Sequence, residues 1–153
     1  MLQRLANFCH RLAKAGLITA TFALMLLASP LAMAANTPVG VWKTIDDETG
    51  EAKSLVQISE SDGKLRGKII KLFKDPDALC DKCEGDEKNM PILGMTVLWG
   101  MSQDDDAWAG GKIFDPKKGK TYRCKIWVEE DGNLKVRGYL GPFFRTQRWV
   151  RFE

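Results

Sequence analysis

The sequence predicts an all-β domain, eight short antiparallel strands in meander order closed into a small barrel, with a leader segment outside the fold. Three observations predict it. Turn-forming clusters of Asp, Gly, Asn and Pro punctuate the chain at short, fairly even intervals. The runs between them are rich in Val, Ile, Leu, Trp, Tyr and Phe, and several alternate with the period of a half-buried strand. No helical run is long enough to carry the crossovers that parallel strands require.

In chain order, the leader comes first. "MLQRLANFCHRLAKAG" holds Arg4, Arg11 and Lys14 and no acid, Leu17 to Leu27 is apolar, and "SPLAMA" places Ala32 and Ala34 in the A-x-A positions. Basic, apolar and small-residue regions in that order describe a secretory signal peptide, with cleavage expected after Ala34. The apolar run of 11 residues is short of the ~20 needed to span a bilayer, so an uncleaved anchor is the weaker reading. Cys9 precedes the apolar run and cannot serve as a lipoprotein cysteine. The expected organisation is therefore a signal peptide over 1–34 and one domain over 35–153, in the periplasm or secreted. A domain of that length buries its own core.

Turn signals then fall at 46–50 (DDETG), 61–63 (SDG), 74 to about 94, 102–106 (SQDDD), 115–119 (DPKKG), 130–133 (EDGN) and 141–142 (GP), leaving eight runs. In "KLRGKIIKLF" Leu65, Gly67, Ile69 and Phe73 share a face. In "TYRCKIWVE" Tyr122, Cys124, Ile126 and Val128 oppose Arg123, Lys125 and Trp127. In "NLKVRGYL" Leu134, Val136 and Leu140 oppose Lys135, Arg137 and Tyr139. The last run, "FFRTQRWVRF", sets Trp149 opposite Phe144, Val150 and Phe152 and leaves its facing open. Gly110 and Gly111, inside a run, are expected to mark a bulge or a bend. Eight strands close into a barrel filled by side chains or by one ligand, and closure removes the sheet edges. A β-sandwich competes, but the connections are mostly short hairpin turns. A membrane-spanning barrel is disfavoured, because the runs fall short of the usual ~9–11 residues and their outward faces carry Lys and Arg.

Charge and histidine content narrow the function. Three of the 23 basic residues and none of the 20 acids lie in the leader, so residues 35–153 carry formal net charge zero. A neutral domain lacks the field that draws in phosphate backbones, and nucleic acid is not an expected partner. His10 is the only histidine and lies in the leader. That excludes Ser-His-Asp and Cys-His catalysis, histidine-built zinc sites and haem held by a His ligand. We expect neither an enzyme nor a cofactor.

Cys80, Cys83 and Cys124 remain. The favoured reading is a disulfide between Cys80 and Cys83 bracing the long loop, with Cys124 a buried apolar group. Three others stay open: Cys124 paired with one of the two, thiol–disulfide catalysis, and a metal site. Asp81, Glu84, Asp86 and Glu87 around the pair would raise a thiol pKa, against what catalysis needs. Zinc would find three cysteines plus an acid. Aromatic residues are the candidates for an apolar ligand cavity, and Trp42, Trp99, Trp108 and Tyr122 are the expected wall.

"GVWKTIDD" opens with Gly40-x-Trp42, similar to the G-x-W start of lipocalin-like barrels. That resemblance implies that Trp42 plugs one end and that a late-strand arginine, Arg148 or Arg151, packs on it. The ordered set "GVWKTIDD", "GKLRGKIIKL", "CDKCEGDEKNMPILGMTVLWGM", "WAGGKIFDPKKGKTYRCKIWV", "LKVRGYLG" and "RTQRWVR", over residues 38–152, resembles the bacterial DUF2147 family of small exported proteins. The resemblance implies an exported, lipocalin-like barrel and carries over no activity, cofactor or catalytic residue. The expected function is a barrel, not membrane-embedded, that binds a small apolar or amphipathic ligand. The alternatives are an envelope structural or interaction module with a solid core, and a thiol–disulfide oxidoreductase.

Overall fold

The computed structural model describes residues 36–152, so the expected leader and its cleavage point lie outside the described residues. Eight strands follow one another: β1 Gly40–Ile45, β2 Ala52–Ser61, β3 Lys64–Leu72, β4 Thr96–Asp104, β5 Ala107–Asp115, β6 Lys120–Val128, β7 Leu134–Leu140 and β8 Phe143–Arg151. Each pairs antiparallel with the next, and β1 pairs with β8 to close the barrel. A 3-10 turn, Gly85–Glu87, lies in the β3–β4 connection.

The alternation read from the sequence sets the facing of most strands. Leu65, Gly67 and Ile69 of β3, Cys124 and Ile126 of β6, and Leu134 and Val136 of β7 are buried. Two positions depart from expectation. Val56 pairs with Ile69 but Leu55 pairs with Lys71, so Ile70 is an extra residue in β3. A bulge of this kind inverts the facing beyond it. Leu72 therefore lines the interior, and Phe73 is exposed. Leu140 reaches the end of its hairpin and is 62% exposed. The facing of β8 is also defined: Trp149 is buried, and Gln147 and Arg145 share its side of the strand and line the interior. In β5 the register slips between Trp108 and Gly111. Gly110 takes φ 78, a left-handed conformation that a β-carbon disfavours, and so forms the expected bulge.

The two ends of the barrel differ. At one end Trp42, Ile58, Leu65, Met101, Ile126 and Leu134 are essentially without solvent exposure and fill the lumen. Trp42 closes this end. Its Nε1 donates to the Pro38 carbonyl at 2.7 Å, and the Arg151 guanidinium stacks 4.2 Å from its ring centroid. Arg151 also donates to the carbonyls of Thr37 (2.6 Å) and Val39 (3.3 Å), tying the segment before β1 to the end of β8. Arg148 is exposed and points away from the lumen beside Lys135. Of the two candidate arginines, Arg151 packs on the tryptophan.

Candidate functional site

The other end is hollow. The connections β1–β2, β3–β4, β5–β6 and β7–β8 surround the mouth of a cavity of about 890 Å³, inside the range of small-molecule sites. Val56, Ile69, Val97, Ile113, Val136 and Trp149 supply its apolar wall. Each is placed by period-two alternation, so the wall continues the inward rows whose members in the lower half pack against one another.

Polar groups sit within this wall at defined places. Thr44 Oγ1 and Ser54 Oγ lie 2.8 Å apart, and the Ser54 N–H donates to Thr44 Oγ1 at 3.1 Å. This buried pair satisfies itself, as burial requires. Gln147 Oε1 accepts from Trp149 Nε1 at 3.2 Å. The side-chain amide nitrogen of Gln147 makes no hydrogen bond to protein among the described residues, leaving a donor for a ligand inside the chamber.

The barrel seam runs beside the mouth. β8 pairs with β1 only through Trp149, Val150 and Arg151. From Phe143 to Arg148 it pairs with β7 alone. Arg145 bridges the gap toward the β1–β2 turn, its Nε and Nη2 donating to Asp47 Oδ2 at 3.0 and 2.8 Å. At the same rim Lys74 pairs with Glu51 and holds that carboxyl below its ordinary pKa, while backbone N–H groups of Thr49 and Glu48 lower that of Asp46.

The β3–β4 connection forms a strap on the opposite side. Cys80 and Cys83 form a disulfide, and both residues are buried. The strap is further ordered by backbone hydrogen bonds from Cys80 N to Met90 O, Asn89 N to Cys80 O and Ile92 N to Ala78 O. It docks on the β5–β6 turn, where Cys80 Sγ lies 3.5 Å from the Pro116 carbonyl. Ala78, Lys82 and Ile92 of the strap and Pro116 to Lys118 of the turn border the cavity together. Among the described residues Cys124 is the free cysteine, and burial pushes its thiol up to about 12, so it stays protonated. The Cys80–Cys83 ring is small. By chain entropy its loss should cost about 2 kcal/mol, and the effect should stay in the strap because the barrel strands do not depend on it. The double variant Cys80→Ser/Cys83→Ser should therefore keep its β-sheet circular dichroism and gain a protease cut between residues 78 and 92. A fully unfolded variant would contradict this.

The expected wall residues separate into two groups. Tyr122 lines the cavity. Trp42 lies below it, in the plug. Trp99 stands opposite Lys112 on the outer side of the sheet, and Trp108 lies at the far end of β5, opposite Gln103 and Ile126. Neither borders the cavity; both are half-buried against the core. Counting aromatic residues says nothing of which end of a barrel they occupy. Trp149, whose facing the alternation of its own strand leaves open, does line the wall. Its parity with Arg151 was the available signal, since an arginine that reaches the plug turns Trp149 inward as well.

A closed eight-strand meander with a Trp–Arg plug at one pole and an apolar one-ended chamber at the other is a lipocalin-like barrel. It is similar to the structure titled "Protein HP1028 from the human pathogen Helicobacter pylori belongs to the lipocalin family", with a TM-score of 0.66 and 20% sequence identity, over 75% of this chain and 82% of that one. That likeness concerns the fold. The chain belongs to the family described as "Uncharacterized protein conserved in bacteria (DUF2147)", whose model matches residues 40–151. No curated protein matches the sequence.

Proposed function

We propose that the protein binds a small apolar or amphipathic molecule in the barrel chamber and holds it in the bacterial envelope. The observation that carries this reading is the chamber itself: about 890 Å³, open at one end, with apolar side chains along its wall, charged residues at its mouth and the Gln147 amide within. An interaction module with a solid core would fill this space. A thiol–disulfide oxidoreductase presents an accessible sulfur, whereas Cys80 and Cys83 are buried where the strap meets the β5–β6 turn. The envelope location draws support from the leader-like residues 1–34 and from a disulfide, which persists in oxidising compartments. No described helix is long and apolar enough to cross a membrane. The outer faces of the strands carry Arg66, Lys68, Lys71, Lys112 and Arg123, all exposed, where a spanning barrel carries an apolar band.

Trp149 supplies the test. Titration with saturated fatty acids of increasing length should change the intrinsic fluorescence of the wild type and much less that of Trp149→Phe. Gly138 supplies a second arm. A β-carbon there would meet Tyr122 Cβ at 3.5 Å, an ordinary contact, and Gly138 borders the cavity, so a longer side chain is directed into it. Gly138→Leu should displace about two methylenes of ligand and weaken binding about tenfold, with unchanged circular dichroism. Equal titration curves for wild type and Gly138→Leu would place the ligand elsewhere and sink the reading.

A further inference from the structure

The outer wall of β5–β8 is basic. These four strands hold nine Lys and Arg residues, of which Arg145 belongs to the mouth and Arg151 to the plug, and one acid, Asp115. The Asp115 carboxylate is turned into its own hairpin, where it accepts from the Lys117 N–H at 3.0 Å. Register lines up the outward residues in rows. Lys112 lies opposite Arg123, Arg123 opposite Tyr139, and Tyr139 opposite Phe144. One row further from the mouth, Lys125 lies opposite Arg137. Arg137 stacks on Phe144 (4.5 Å) and Trp127 (5.0 Å), so cations and rings interleave. Lys125 pairs with Asp104 and Lys135 with Glu129, both acids at the closed end. Lys112, Arg123, Arg137 and Arg148 make no ion pair among the described residues. The acids of the mouth lie in the β1–β2 turn and the strap, which flank this face at Arg145 and at the β5–β6 turn.

This face ends in an apolar tip. The β7–β8 turn presents Leu140, Phe143 and Phe144, respectively 62%, 75% and 61% exposed. Hairpin tips are ordinarily polar. A tip of large apolar side chains beside a basic, aromatic-rich wall is the composition of a surface that sits at a membrane interface. Leu140 and Phe143 also border the chamber, so the tip and the mouth are one feature.

We propose that this face docks the protein, tilted onto the β5–β8 wall with the β7–β8 tip leading, on an anionic lipid bilayer. Leu140 and Phe143 enter the interface, Lys112, Arg123 and the Lys117–Lys118 pair meet the headgroups, and the chamber exchanges its ligand with the bilayer. The exchange rests on the ligand-binding reading above; the docking does not.

Co-sedimentation with vesicles tests it, using purified protein whose N-terminus is verified so that an uncleaved leader does no binding. Vesicles of phosphatidylcholine mixed with phosphatidylglycerol should retain the wild type at low salt and release it at high salt, and phosphatidylcholine alone should retain little. Each basic residue removed should weaken binding about fivefold. Lys112→Glu/Arg123→Glu should therefore lose well over tenfold, and Leu140→Ser/Phe143→Ser about tenfold or more. All four positions are exposed, and an unchanged thermal melt shows that the fold is kept. Gly138→Leu should still dock while binding ligand more weakly, which separates failure of the chamber from failure of the face. Equal retention on neutral and anionic vesicles, no retention on either, or undiminished retention of the charge-reversed variant would overturn the proposal. So would capture by an anionic polysaccharide with none by vesicles.

Discussion

Trp42→Ala should cost the domain about 3–5 kcal/mol of folding stability, the range for truncating a buried large aromatic. That is a large share of the ~5–15 kcal/mol that holds a domain together. Trp42 is without solvent exposure, and three interactions converge on it. Its ring fills the closed end, its Nε1 satisfies the Pro38 carbonyl, and its face supports the Arg151 guanidinium. Removing the ring leaves a void among Ile58, Leu65 and Met101 and unstacks an arginine that also holds Thr37 and Val39. Arg151→Ala should cost less, about 1–2 kcal/mol, because it removes the stacking and two hydrogen bonds but leaves the packed ring. Urea unfolding followed by circular dichroism measures both. Midpoints that shift equally for the two variants, or a small shift for Trp42→Ala, would show that the plug is not what holds the closed end.

The second large effect is expected at Gly119. Its φ is 63, and a β-carbon there would lie 1.9 Å from the Lys82 carbonyl oxygen. The strap thus approaches the β5–β6 turn more closely than any side chain allows. Gly119→Ala meets both the left-handed backbone cost, about 1–2 kcal/mol, and an overlap with main chain worth about 1–3 kcal/mol. The strap relieves both by lifting off, which is cheaper than unfolding the barrel. Hydrogen exchange at the amides of Cys80, Asn89 and Ile92 should accelerate by about a hundredfold, the equivalent of roughly 3 kcal/mol of lost docking. Exchange in β6 and β7 should stay slow. Unchanged protection of the strap would mean that it is held from within, by its disulfide and its own backbone bonds, rather than by the turn beneath it.

Much of the barrel was legible because its signals are local. Turn clusters and period-two alternation need only neighbouring residues, and they give eight strands, their order and the facing of β6 and most of β3 and β7. What stayed hidden depends on residues far apart in sequence. Phe73 turns outward because of an extra residue at Ile70, a defect in pairing with β2 that leaves no mark in the composition of β3. The choice of Arg151 over Arg148 depends on where β8 meets β1, more than 100 residues away. The chamber is harder still. An inward Val or Ile looks the same whether it meets a packed core or a void, so only the closed end's surplus of large side chains reveals where the hollow lies. Tyr122 reaches the cavity through its clean alternation. Trp99 and Trp108 do not border it, because aromatic content carries no position along the barrel axis.

The brevity of the β1–β8 zipper has a consequence for how the chain reaches its native state. Every other neighbour is joined through a connection in the chain, but these two strands meet only after the whole meander has formed, with Thr44 finding Trp149. Loop closure over such a span is entropically uphill and returns little until it is finished. Closure is therefore expected last, from an open sheet whose unpaired border includes Phe143 and Phe144, the kind of border that recruits a second copy. Refolding yield should fall as protein concentration rises, and the by-products should be oligomers joined along β8.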